Sequence, residues 1–76
     1  MWLMNVYRGR QGDYILVPHP KKYSGSDAGL YLGVVAGTSF GAEICTGIAL
    51  QLSEHPYARL TPTQFYYGQQ QAVAAG

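Results

Sequence analysis

Ionised side chains are scarce in this chain. Five Lys or Arg and four Asp or Glu among 76 residues make 12%, against about 25% in an average soluble domain. With a formal net charge of +1, no whole-molecule field steers it onto nucleic acid or acidic lipid. Cysteine is nearly absent too. Cys45 has no partner for an internal disulfide, so no covalent staple is expected. Cys45, His19 and His55 are too short a donor set for a closed tetrahedral metal site, and neither a metal nor any other cofactor is expected. The first residues, Met1-Trp2-Leu3-Met4-Asn5, carry no basic lead and only a brief apolar stretch, so no secretory signal is read and the cytoplasm is the expected location. No repeat of 20–50 residues is present. The length itself excludes a complete doubly wound sheet or a barrel, and residues 1–76 read as one small domain with a thin core.

Apolar residues are plentiful at 47%, beside ten Gly and seven Tyr. That composition excludes disorder, which needs low hydrophobicity or high net charge. With so few charges, the exposed surface must be built from Tyr, Gln, Ser, Thr and Gly. Seven tyrosines cannot all be core in so small a body. A tyrosine-rich, charge-poor surface is typical of protein interfaces.

The apolar pattern predicts an α+β fold. Residues 2–8 alternate, residues 9–12 are turn material, and residues 13–18 are rich in strand formers, which together read as a β-hairpin closed by Pro18. Residues 21–29 read as a polar loop and Leu30–Ala36 as a third antiparallel strand. Phe40, Ile44, Ile48 and Leu52 then recur every fourth residue, predicting one amphipathic helix with Thr38 or Ser39 as its N-cap. His55-Pro56 ends it. Gly41 and Gly47 inside that helix call for a closely packed neighbour. Thr61-Pro62-Thr63-Gln64 matches a capping box with proline at the first helical position. Phe65-Tyr66-Tyr67 suits a strand equally well, so residues 62–71 stay open between a short helix and an edge strand. Gly68 interrupts either one, and residues 69–76 read as a frayed tail.

Four features could carry chemistry or binding. Gly37-Thr38-Ser39-Phe40-Gly41 fits G-x-S-x-G, between an apolar strand and an amphipathic helix. The stretch Val34–Leu50 resembles the nucleophile elbow of patatin-like lipases and, more loosely, of α/β-hydrolases. The resemblance implies Ser39 as nucleophile and Phe40 as donor of an oxyanion-hole N–H. A patatin-like enzyme also needs a glycine-rich upstream loop and a downstream Asp, and no Asp follows Asp27. For an α/β-hydrolase, Glu43 or Glu54 with His55 stand in the right order but directly behind the elbow. The expectation is therefore no enzyme, with a serine hydrolase as a further alternative. Gly25, Gly29, Gly33, Gly37 and Gly41 lie four apart, and Leu30–Leu50 holds one charge, Glu43. That run is long enough to span a bilayer, so a single-span membrane protein is another alternative. The strand–turn–helix reading is preferred, and with it no membrane partner.

Arg8, Arg10, Lys21 and Lys22 interleave with Tyr7, Tyr14 and Tyr23. If the hairpin turn and the following loop bracket one tyrosine-bearing face, these seven residues form the expected partner-binding surface. Cations beside rings also suit single-stranded nucleic acid, which makes a weak nucleic-acid binder the alternative function. Tyr57, Phe65, Tyr66 and Tyr67 supply a second aromatic patch, for core closure or an interface. Taken together, the sequence points to a non-enzymatic module that binds a protein partner, an inhibitor or adaptor of the kind phages and mobile elements encode. Its size and surface are compatible with a homodimer as well as a monomer.

Overall fold

Four strands and two helices follow in the order β1 (Trp2–Gly9), β2 (Tyr14–Pro18), β3 (Ala28–Gly37), α1 (Ala42–Glu54), β4 (Ala58–Leu60) and α2 (Pro62–Ala75). They are described by a computed structural model covering the backbone of residues 2–37 and 39–75. The strands form one antiparallel sheet in the order β3-β1-β2-β4, so the chain has the expected α+β fold. The hairpin and third strand stand where the alternation puts them. Two parts differ. β4 was not legible in the sequence, because three residues between Pro56 and Pro62 carry too little periodicity to register. Residues 62–75 are helix, and Gln69–Ala75 continue α2.

Side chains alternate across a strand, and the sheet consequently has two unlike faces. Met4, Val6, Leu16, Ala58 and Leu60 point to the face that carries the helices, where they join Phe40, Ile48 and Phe65 in the main core. Trp2, Tyr14, Ile44, Cys45 and Leu52 pack around them. Phe40 lies just before α1 rather than in its first turn, yet it is fully buried. Its ring takes the edge of Trp2 at 5.0 Å and lies 5.8 Å from Phe65.

The helix starts rest on different devices. At α2 the capping box forms as expected. Thr61 N–H donates to Gln64 Oε1 at 2.9 Å, and Gln64 N–H donates to Thr61 Oγ1 at 3.2 Å. At α1 no side chain caps; Gly41 is the N-cap, with φ 67°. A Cβ there would stand 3.1 Å from the Tyr67 ring, and L-residues avoid that φ. Ser39 therefore does not serve as the cap, and Thr38 lies outside the described residues. Gly68 does not interrupt α2. An added Cβ would meet the Phe40 ring at 2.5 Å, so the glycine is the notch into which that ring fits. Gly47, by contrast, has open space where a Cβ would go, and the expected close neighbour is not there.

The opposite face is covered over only part of its width. Tyr7, Ile15 and Val17 form a small second core against Tyr23, Ala28 and Tyr57, as the connection from β2 to β3 folds back across the sheet. Over β1 and β3 this face is open, with Leu3, Tyr31 and Val34 exposed. Among the described residues no helix is long and apolar enough to cross a membrane. Leu30–Leu50 is shared between β3 and α1 and is not a single helix.

Candidate functional site

The open face carries a cleft of about 560 Å³, lined by Asn5, Tyr7, His19, Pro20, Lys22 and Tyr31. That volume falls in the range of about 300–1,000 Å³ typical of ligand sites. Its floor comes from β1, one wall from Tyr31 on β3, and the other wall from residues 19–22 after β2. The floor is firmly held. Asn5 is 4% exposed; its Nδ2 donates to the Lys21 carbonyl at 2.7 Å, and its Oδ1 accepts from the Tyr31 hydroxyl at 2.9 Å. The Tyr31 ring lies 5.2 Å from Tyr7 at 58°, and Tyr7 Oη accepts the Tyr23 N–H at 3.2 Å. Every buried polar group in the floor is engaged, as such groups must be to avoid a desolvation cost.

Electrostatically the cleft is one-sided. Lys22 contributes a cation and His19 an imidazole, and no carboxylate lines it. The carboxylates are committed elsewhere. Asp13 and Asp27 both bind Arg59, Asp13 at 2.7 Å, while Glu43 and Glu54 sit on α1. The Tyr23 hydroxyl donates to Asp27, and Arg59 lies over the Tyr57 ring at 5.2 Å. This clamp ties the β2–β3 connection to β4 and holds the far wall of the second core. The Tyr23 hydrogen bond and then the Arg59 guanidinium keep the Asp27 carboxyl below its ordinary range. The same bond to Asp27, helped by burial, pushes the Tyr23 phenol up to about 12.

The sheet alternation separates the seven residues expected to form one surface. Tyr7, Lys22 and Tyr23 belong to the open face, Tyr7 and Lys22 in the cleft itself and Tyr23 in the clamp beside it. Lys21 is exposed and contributes its carbonyl to Asn5. Tyr14 is on the helix face, stacked on Phe65 at 4.1 Å with Arg8 above it at 4.5 Å. Arg10 lies at the hairpin turn, its Nε donating to the Ser26 carbonyl at 3.0 Å. The hairpin turn and the Lys21–Lys22 loop therefore do not bracket a single tyrosine face. Asn5, His19, Pro20 and Tyr31 were missed. The odd-numbered alternation of β1 would have paired Asn5 with Tyr7, but Tyr31 joins them only through the β1–β3 register.

The segment around Ser39 has the strand–turn–helix order of an elbow, but β3 belongs to an antiparallel sheet and is its edge. Glu54 and His55 lie at the far end of α1, which at 1.5 Å per residue is roughly 20 Å from its start. Phe40 and Gly41 are accounted for by packing: Phe40 fills the core, and Gly41 makes room for Tyr67. Among the described residues no group of three or more His, Cys, Asp or Glu could hold a metal ion.

The sheet's two edges are also unlike. On β4 the outward groups of Arg59 are taken by a side chain from α1. Arg59 N–H donates to Gln51 Oε1 at 2.8 Å, and Gln51 Nε2 donates to the Arg59 carbonyl at 3.0 Å. β3 has no such cover among the described residues; its ten residues contain no charge, and Leu30, Tyr31, Leu32 and Val34 are 46–63% exposed.

No protein-family model, no curated protein and no solved structure matches the chain.

Proposed function

We propose that this chain is a non-enzymatic protein-binding module, an inhibitor or adaptor, whose cleft on the open sheet face receives a partner segment that pairs an apolar or aromatic side chain with a carboxylate. The single observation behind this reading is the composition of the cleft. Tyr7, Tyr31 and Pro20 offer flat apolar walls, Lys22 and His19 offer positive or donor groups, and no carboxylate is present. A buried ring beside a rim cation is the usual anatomy of an interface anchor. The split of Tyr14 from Tyr7 and Tyr23 favours a local anchor over an extended nucleic-acid track, which needs cations and stacking rings along one groove.

Affinity capture from the native lysate, with and without nuclease, tests the reading against Lys22→Glu and Tyr31→Ser variants. One protein recovered in near-stoichiometric amount, indifferent to nuclease and lost with both variants, is the expected outcome. Recovery that collapses on nuclease treatment would transfer the site to nucleic acid.

A further inference from the structure

We infer that the partner segment received by the open sheet face is an amphipathic α-helix with an acidic flank, laid along β1 and β3 with one ring in the cleft. The inference rests on the cleft reading and adds the shape of the occupant. Beside the cleft, the β1–β3 register sets out the surface. Leu3 pairs with Ala36, Asn5 with Val34 and Tyr7 with Tyr31, so by alternation these side chains share the open face. Leu3, Tyr31 and Val34 are 43–50% exposed, and Ala36 is exposed as well. The cleft therefore opens onto an apolar shelf that runs from Tyr31 to Leu3. That strip has the dimensions of one helix. Between the wall of residues 19–22 and the free edge of β3 it is two strands wide, about 10 Å, and a helix is about 10–12 Å across. Tyr7 and Leu3 stand about 13 Å apart along β1, and helical anchors at i, i+4 and i+7 cover about 10.5 Å.

An extended segment has no comparable seat. Away from water it satisfies its backbone by adding to a sheet edge, and the β3 edge is interrupted. The pairing skips Leu32 between Val6 and Tyr7, and Gly29 between Arg8 and Gly9; such bulges blunt an edge against strand addition. Laid flat on the face instead, an extended segment would press unpaired N–H and C=O groups against Leu3 and Val34. A helix bonds its own backbone and presents side chains alone.

The charge of the occupant follows from the groups around the shelf. Lys21 and Lys22 are exposed, and neither joins an ion pair among the described residues. Asp13 and Asp27 are held by Arg59, while Glu43 and Glu54 lie on α1, across the sheet. One long side of the strip is thus positive, with no free carboxylate to answer it. A helix with carboxylates along that flank and apolar anchors beneath is its electrostatic complement.

The probe is a synthetic alanine-based peptide of about 14 residues, four helical turns, with Trp, Leu and Leu at i, i+4 and i+7 and two Glu on one flank. A hydrocarbon staple on the far side fixes the helix, because a free one of that length is marginal. Titrated into the full chain and followed by two-dimensional NMR, it should bind saturably with a dissociation constant below about 1 mM, shifting the amides of Leu3, Asn5, Tyr31 and Val34. An unstapled twin with proline at its centre, which breaks the helix, and a twin with Lys for Glu should each bind at least tenfold more weakly. Val34→Glu and Leu3→Ser, both outside the cleft, should also weaken binding, the first at least tenfold; far-ultraviolet circular dichroism confirms that they are folded. No binding, equal binding of the proline or lysine twin, or indifference to both shelf variants would each overturn the proposal. Self-association of the chain that the peptide fails to reverse would seat a second copy on the face and overturn it too. Partner capture is read separately: a partner lost with Lys22→Glu and Tyr31→Ser but retained by both shelf variants refutes the helix and leaves the cleft reading standing.

Discussion

β4 shows its outer edge for three residues, and the Gln51 amide occupies the middle one; β3 runs along the other edge for ten residues, bulged at Gly29 and Leu32, with nothing polar laid across it among the described residues. Both belong to one sheet, so sheet chemistry in general cannot explain the difference. What separates them is where the helices go. α1 leads directly into β4 and α2 out of it, which brings Gln51 alongside Arg59 and closes that edge. β3 has the β2–β3 connection before it and the turn to α1 after it, and α2 comes back only against its last residues, where Ala72 lies beside Val35 and Gly37. The contrast shows that a domain with a thin core can cover one edge from its helices and interrupt the other only with bulges in the strand itself.

The largest effect should come from loosening the helices that guard β4. Phe40 is fully buried at the junction of Trp2, Phe65 and the Gly68 notch. Phe40→Ala should cost about 3–5 kcal/mol, enough to unfold much of a marginal 76-residue chain. Urea titration followed by Trp2 fluorescence measures it directly. Gln51→Ala attacks the guard itself. It leaves the Arg59 N–H and carbonyl without their amide partner, at a cost of about 1–3 kcal/mol. It also uncovers the β4 edge, so sedimentation equilibrium should show more self-association than the wild type does. If Gln51→Ala destabilises the chain without any change in assembly, the amide serves only to satisfy Arg59.

The smallest effect concerns the clamp on the open face. Arg59→Met should cost about 1 kcal/mol, since the Arg59, Asp13 and Asp27 side chains all keep contact with solvent and such pairs contribute little. Amide exchange should quicken in residues 19–27 and stay unchanged in α2. The pH profile sharpens the test. Asp27 titrates below its ordinary range when folded, so its contribution is present above that range and is lost as the pH falls through it. Arg59→Met should make this acid limb shallower without removing it, because the Tyr23 hydrogen bond remains. Tyr23 is pushed the other way, to about 12. Its contribution is intact below the ordinary tyrosine value near 10 and is lost as the pH rises from there to about 12. Urea midpoints recorded across both limits check each sign.

Residues that act on near neighbours in the chain were readable in advance. The Thr61–Gln64 capping box, the hairpin and the Ile44–Ile48–Leu52 stripe depend on spacings of two to four residues, and all are present. The unreadable features join distant residues. Arg59 meets Asp13 and Asp27 across 46 and 32 positions, and Tyr31 reaches Asn5 across 26. Gly68 looked like a helix breaker because nothing local shows that Phe40 needs its missing side chain. The tyrosines misled for a similar reason. Spacing in the sequence placed Tyr7, Tyr14 and Tyr23 together, but the strand alternation sends Tyr14 through the sheet to Phe65.

Tyr31 belongs to the open edge and to the cleft at once, its ring against Tyr7 and its hydroxyl on Asn5. A ligand in the cleft and anything laid along the β3 edge would therefore be thermodynamically linked through this one side chain. An occupant of the cleft that turned the ring would change the affinity of the edge by some factor, and an occupant of the edge would change cleft affinity by that same factor.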